Sequence, residues 1–208
     1  MTKLQAQRWL FKPSFFLLSL LPFCWLIWSA LHDQLSANPI DDITDATGTW
    51  TLRFLMITLS IRPLRSIGWL TWLARFRRMA GLFAFFYGVL HLTTYLYLDQ
   101  FFDADAIMSD ILKRPFITAG MTAFFLMLPL ALTSTQGMIR RIGGARWRRL
   151  HQLIYLSATC GVIHYLWLVK ADRQRPMIYG AILALLLGYR IRVYWKTRKS
   201  AAAATPAS

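Results

Sequence analysis

What most restricts this chain is a series of apolar runs, each bounded by polar segments whose charge alternates in sign. Long apolar stretches recur at residues 13–31, 79–98, 115–133, 150–170 and 177–194, with a shorter one at 50–61. Within hydrocarbon, only helices and closed barrels satisfy the backbone N–H and C=O groups. Runs of this length suit helices crossing a bilayer core ~30 Å thick. The pattern predicts an all-α integral membrane protein, a six-transmembrane-helix bundle. A hydrophobic fraction of 56% and a mean hydropathy of +0.41 exclude an ordinary soluble domain.

Within that frame, residues 13–31 read as a retained helix, kinked near Pro22, and not as a cleaved signal. The 50–61 run is the weakest, because Arg53 lies inside it and must snorkel to the interface. Residues 32–48 are polar, with Asn38-Pro39 as a turn signal. One membrane domain is expected over residues 1–199, opening with a basic amphipathic leader at 1–12. A low-complexity, disordered tail is expected at 200–208. Cys24 and Cys160 both sit in apolar runs and read as small buried hydrophobes, not a disulfide framework.

A net charge of +15 would suit nucleic acid, but its distribution argues otherwise. Six crossings place the N-terminus, the 62–78 and 134–149 loops and the C-terminal tail on one side. That side holds eighteen of the 24 Lys and Arg and no acid. The other side holds all nine Asp and the remaining six basic residues. Lys and Arg concentrate on the cytoplasmic side of membrane proteins, so both termini are predicted to be cytoplasmic. The positive charge then serves topology and affinity for anionic headgroups, with no nucleic-acid role.

An imidazole inside hydrocarbon is costly and marks a functional position. His91 lies twelve residues into the third run and His164 fourteen into the fifth, both counted from the cytoplasmic side. At ~1.5 Å per residue those depths are roughly 18 and 21 Å. Two imidazoles at one level on different helices can clamp a single haem iron from opposite faces. Gly88 and Gly161 each precede a histidine by three, on the same helix face, where they would leave room for a macrocycle edge or simply allow close helix packing. Tyr87, Tyr95, Tyr165 and Trp167 lie close to these histidines and suit either macrocycle contact or ordinary packing.

His151 lies at the cytoplasmic rim beside Arg146, Arg148 and Arg149. On a straight helix its ring would point roughly 140° away from that of His164. The matching place on the third run holds Arg77 and Arg78, so a second bis-histidine pair is not written in the sequence. Four roles stay open for His151. It could bind a second haem with an unusual partner, hydrogen-bond a haem propionate, contact a quinone or flavin, or face water. His32, next to Asp33 at the outer end of the first run, reads as a plain interfacial residue.

No carboxylate sits mid-span, which disfavours a proton-coupled transporter. HExxH, GxSxG, Walker and GxGxxG motifs are all missing, so the chain carries no hydrolase site and no nucleotide domain of its own. Electrons would have to come from a membrane quinol or a separate soluble protein.

The layout together with His91, STQ at 134–136, WRRLH at 147–151 and HYLW at 164–167 resembles the MsrQ (formerly YedZ) family of haem-binding membrane subunits. This family lies within the broader ferric-reductase-like transmembrane group. The resemblance covers essentially everything but the alanine-rich tail. It implies a bacterial inner-membrane protein with haem b on His91, His151 and His164. It further implies electron transfer from respiratory quinones to a periplasmic molybdenum-cofactor partner, MsrP, which repairs methionine sulfoxide. FMN is implied by the resemblance alone, and no motif locates it. Alternatives are the b-type cytochrome core of another reductase, such as a ferric reductase, or a non-redox membrane transporter.

Overall fold

The structure, a computed structural model, describes residues 10–203; residues 1–9 of the expected leader and 204–208 of the expected tail lie outside the described residues. Among the described residues there is no strand. The chain opens with α1 (Lys12–Leu31) and α2 (Pro39–Arg65), followed by a 3₁₀ run at Gly68–Arg75. Next come α3 (Arg77–Thr93), continued as π-helical turns over Thr94–Asp99, and the short α4 (Ala104–Lys113). Then follow α5 (Pro115–Leu132), the short α6 (Gln136–Ile142) and α7 (Gly144–Leu150), α8 (Leu153–Leu168) and α9 (Gln174–Ala203). The last helix thus continues through Ala203, past the expected tail boundary at 200.

Among the described residues, four helical stretches are long and apolar enough to cross a membrane: Lys12–Leu31, Arg77–Asp99, Pro115–Leu132 and Gln174–Ser200. The other two expected crossings fall in α2 and α8. α2 runs 27 residues but carries charge at both ends, with Asp41 and Asp42 in its first turn and Arg62 and Arg65 in its last. Those charges complement the helix dipole. They also explain why residues 39–48 read as a polar loop: Pro39 at the first helical position starts the helix eleven residues before Trp50, where the apolar run begins. α8 has only 16 residues, about 24 Å of helix. Its run is cut at the start, because His151 and Gln152 form a turn between α7 and α8. Of the expected continuous span over 150–170, the unbroken helix therefore covers Leu153–Leu168.

The core lies between two helix pairs, α2 with α3 and α5 with α8. It contains Leu55 and Leu59 of α2, Phe83 and Tyr87 of α3, Met127 of α5, and Ile154 and Val162 of α8. Small residues mark the closest approaches: Ala80, Ala84, Ser157 and Ala158 are fully buried. Such residues let helix backbones meet where the apolar surroundings give no hydrophobic drive. Ser157 Oγ donates to the Ala123 carbonyl oxygen at 2.9 Å and stitches α8 to α5.

α1 leans on α3 through aromatic pairs such as Phe16–Phe83 and Phe23–Phe86. Pro22 sits inside α1. Beside it, Tyr87 inserts its hydroxyl into the helix ladder, donating to the Ser19 carbonyl at 2.8 Å and accepting from the Phe23 N–H at 3.2 Å. A bond normally made within α1 is thereby bridged by α3, a recognised way for a side chain to distort a helix. Cys24 is exposed on α1, not buried as expected, and both cysteines are free.

The basic loop at 134–149 folds as two short helices separated by Gly143, whose φ of 85° suits glycine. Thr135 caps α6 by accepting from the Met138 N–H at 3.2 Å. The acidic segment after α3 contains α4, capped by Asp103, which accepts from the backbone N–H groups of Asp105 and Ala106 at 3.0 Å each.

Candidate functional site

α3 and α8 bring His91 and His164 together. Their ring centroids lie 6.0 Å apart and their planes cross at 77°. Each imidazole is held by a backbone carbonyl from the neighbouring helix of its pair. His91 Nδ1 lies 3.0 Å from the Thr44 carbonyl oxygen of α2. His164 Nδ1 lies 2.6 Å from the Phe116 carbonyl oxygen of α5. A carbonyl oxygen only accepts, so Nδ1 carries the proton in both rings. The Nε2 lone pair is left available in both.

Two glycines complete this arrangement. A Cβ on Gly48 would lie 2.9 Å from His91 Cε1, and one on Gly120 would lie 2.8 Å from His164 Nδ1. Each ring therefore packs against helix backbone at a point where a side chain would press on it. The two halves match: a carbonyl four residues before a glycine on one helix orients the imidazole of its partner, as Thr44 and Gly48 do for His91, and Phe116 and Gly120 for His164.

The pair fits a haem iron. Two imidazoles whose centroids lie 6.0 Å apart, each with Nε2 free, would hold the iron, and the haem would supply a one-electron couple. Metal-bound histidines commonly donate their other N–H to a carbonyl, which fixes tautomer and orientation. Both features are present here in His91 and His164.

Gly88 and Gly161, one turn below the histidines, stand at helix contacts. A Cβ on Gly88 would meet Met127 Cε at 3.1 Å, and one on Gly161 would meet Leu52 Cδ2 at 3.2 Å. Tyr87 is committed to α1 as described, and Tyr165 packs near Tyr179 at 6.2 Å.

His151 is not part of this pair. Its ring stacks on Trp147 with centroids 3.9 Å apart, and its Nε2 lies 3.1 Å from Thr133 Oγ1. The Thr133 hydroxyl donates to the Pro129 carbonyl at 2.6 Å, so it accepts from His151 Nε2–H. Trp147 Nε1–H donates to the Thr133 carbonyl at 2.9 Å and closes the arrangement. Partial burial, and then the Arg77 guanidinium, hold the His151 pKa below the ordinary histidine value. One side of His151 lines a cavity of about 360 Å³ that also receives Arg62, Arg77, Arg78, Arg148 and Arg190. His32 stacks on Trp28 at 4.6 Å on the exposed surface of α1.

Sequence reasoning missed Gly48, Gly120, the Thr44 and Phe116 carbonyls, Thr133 and the inward-facing Arg190. A signal for α2 was present: Thr44, Thr47, Gly48 and Thr51 recur at helical spacing within the polar-looking segment.

Comparison with known proteins agrees with this architecture. Residues 47–162 match the family described as "Ferric reductase like transmembrane component". A Herminiimonas arsenicoxydans protein named "Protein-methionine-sulfoxide reductase heme-binding subunit MsrQ" is 51% identical, over 93% of this chain and 88% of its own. A protein of the same name from Azospira oryzae is 52% identical, over 94% of this chain and 87% of its own. Another, from Caulobacter vibrioides, is 48% identical over 89% and 87%. No solved structure matches. With the matched segment running from Thr47, beside the His91 imidazole, through α3 and α5 to Val162 on α8, the chain belongs to the ferric-reductase-like transmembrane family and, within it, to the MsrQ family.

Proposed function

We propose that this chain is the b-type haem membrane subunit of a protein-methionine-sulfoxide reductase. In this role it carries electrons from membrane quinol to a periplasmic molybdenum-cofactor partner of the MsrP type. The observation that carries the reading is the His91–His164 pair: two rings 6.0 Å apart, each with Nδ1 engaged by a carbonyl. The names of the relatives, which are heme-binding subunits of such a reductase, support it.

A bound haem supplies a one-electron couple. The chain's own residues do the rest. His91 and His164 present Nε2 from α3 and α8. The carbonyls of Thr44 and Phe116 hold the rings in one tautomer, and Gly48 and Gly120 let them lie against the helix backbones. Gly88 and Gly161, one turn below, let Met127 and Leu52 pack close against the ligand-bearing helices. The flanking apolar core excludes water, and with ligand type and burial this sets the potential. His151 stays outside the pair, on the basic side, where the electron enters from quinol or from FMN. The reading includes six crossings, both termini in the cytoplasm, and an inner-membrane location.

The test uses the chain in membranes, as expressed with adequate haem. A reduced-minus-oxidised spectrum should show a b-type signal, which a short-chain ubiquinol should also generate. Adding the molybdenum partner with a methionine-sulfoxide substrate should reoxidise it. No b-type signal would sink the redox reading. A signal that the partner leaves reduced, but that ferric chelates reoxidise, would favour a ferric-reductase core.

A further inference from the structure

The aromatic pairs that hold α1 to α3 leave a groove of about 460 Å³ between the two helices. Three cations stand at one end of it: Lys12 in the first turn of α1, Arg75 at the end of the 3₁₀ run, and Arg78 in the first turn of α3. Below them the walls are apolar and step by one helical turn, with Phe16 and Leu20 on α1 and Leu82 and Phe86 on α3. Both helices start at the same end, so the groove grades from cationic to apolar along their length. Leu20 lies eight residues beyond Lys12, about 12 Å along the helix.

The cationic end calls for an anion. Lys12 and Arg78 sit at helix N-termini, where the helix dipole is already positive, and neither first turn holds an acid. The sequence has no acid in residues 1–32 or 46–98, and the ion pair found among the described residues is Arg114 with Asp110, elsewhere. Trp69, 75% exposed on the 3₁₀ run that ends in Arg75, suits the headgroup level of a bilayer. The apolar walls call for a chain: Phe16 and Leu82 are both exposed along the groove. A second copy of this chain meets only half of these needs. Its acids fall at residues 33–45, 99–110 and 172, outside the helix starts that carry these cations. A phospholipid with a net negative headgroup meets both.

We propose that the α1–α3 groove binds one anionic glycerophospholipid from the leaflet at the basic end of the helices. Its phosphodiester lies between Lys12 and Arg75, with Arg78 beside them, and one acyl chain follows Phe16, Leu20, Leu82 and Phe86. General attraction to a negative leaflet is diffuse and follows charge alone. This site adds the shape of the groove, so it holds one lipid and seats α1 on the bundle. It involves neither the His91–His164 pair nor the cavity at His151 for its apolar part, and it does not depend on the electron-transfer reading.

The full chain, extracted from membranes in mild detergent, provides the test. Native mass spectrometry counts the lipids retained per chain and identifies their headgroups. With phosphatidylglycerol and phosphatidylethanolamine offered in equal amounts, one phosphatidylglycerol should be retained, favoured about tenfold or more. Lys12→Gln combined with Arg75→Gln should remove that preference. Leu20→Trp, which fills the groove and keeps the cations, should prevent retention. Arg198→Gln combined with Lys199→Gln, an equal loss of charge at exposed positions of α9, should leave retention intact. Elution as a single species in size exclusion reports folding without reference to haem. If the Lys12 and Arg75 double variant does not fold, Leu20→Trp against the α9 control decides. The proposal is overturned if no phospholipid is retained, or if the retained one is zwitterionic. It is also overturned if the α9 charges matter as much as those of the groove, or if Leu20→Trp displaces a quinone or a second copy of the chain instead of a phospholipid.

Discussion

His91 and His164 on one side, and His151 on the other, show how one residue type is set up for two tasks. The pair is oriented through Nδ1 by backbone carbonyls, so Nε2 remains available on both rings. His151 is oriented through Nε2 by a threonine hydroxyl and held flat on Trp147. The surroundings differ as strongly. Among the described residues, no arginine or lysine hydrogen-bonds to the paired rings, which pack against Gly48 and Gly120. Arginines share a cavity with His151. Neighbouring elements, not the histidine itself, determine which nitrogen is offered.

The largest expected effect tests that division directly. His91→Ala and His164→Ala should each abolish the same b-type haem, measured as haem per protein and as the reduced-minus-oxidised spectrum. His151→Ala should keep that haem and slow its reduction by quinol. A His164→Ala protein with full haem content and an unchanged spectrum would break the pairing. Complete haem loss in His151→Ala would show that the two regions are not separate.

A smaller effect is expected at the glycines. Gly48→Ala would place a methyl 2.9 Å from the His91 ring, and Gly120→Ala one 2.8 Å from the His164 ring. Each should lower haem affinity by about 10- to 100-fold, the range seen when the groups that orient metal ligands are changed. Gly188→Ala, where nothing lies within 4 Å of the added carbon, should leave haem titrations unchanged. Equal affinities in all three variants would mean that the rings do not need the bare backbone for binding.

Much of this was legible in the sequence, for identifiable reasons. The apolar runs foretold helices because hydrocarbon allows few alternatives. Counting residues from the charged ends put His91 and His164 at one level because helical rise is constant. The features that orient the rings were not legible. Gly48 lies in a stretch whose Asp residues read as loop, although the same Asp residues suit the start of α2. Gly120 is one small residue among several in α5, and only the pairing of α5 with α8 selects it. The turn at His151 likewise depends on Trp147 and Thr133, and Thr133 belongs to a different helix end. Arg190 resembles the other tail cations in sequence; its inward placement follows from how α9 packs on α8 and α2.

The smallest effect sharpens the contrast at His151. Thr133→Val removes the hydroxyl that accepts from Nε2–H and leaves that donor facing a partly buried position. The expected cost is about 1 kcal/mol of stability, read as a modest fall in thermal midpoint. The haem held by His91 and His164 should be unchanged. Thr133→Ser, which keeps the hydroxyl, should restore most of the loss. The informative surprise would be a second b-type signal in Thr133→Val. The hydroxyl commits Nε2 as a donor, so its removal is the one change that would free that nitrogen. A new signal would mean that Thr133 alone separates the two kinds of histidine site; its absence would leave the arginine-lined chamber as the deciding feature.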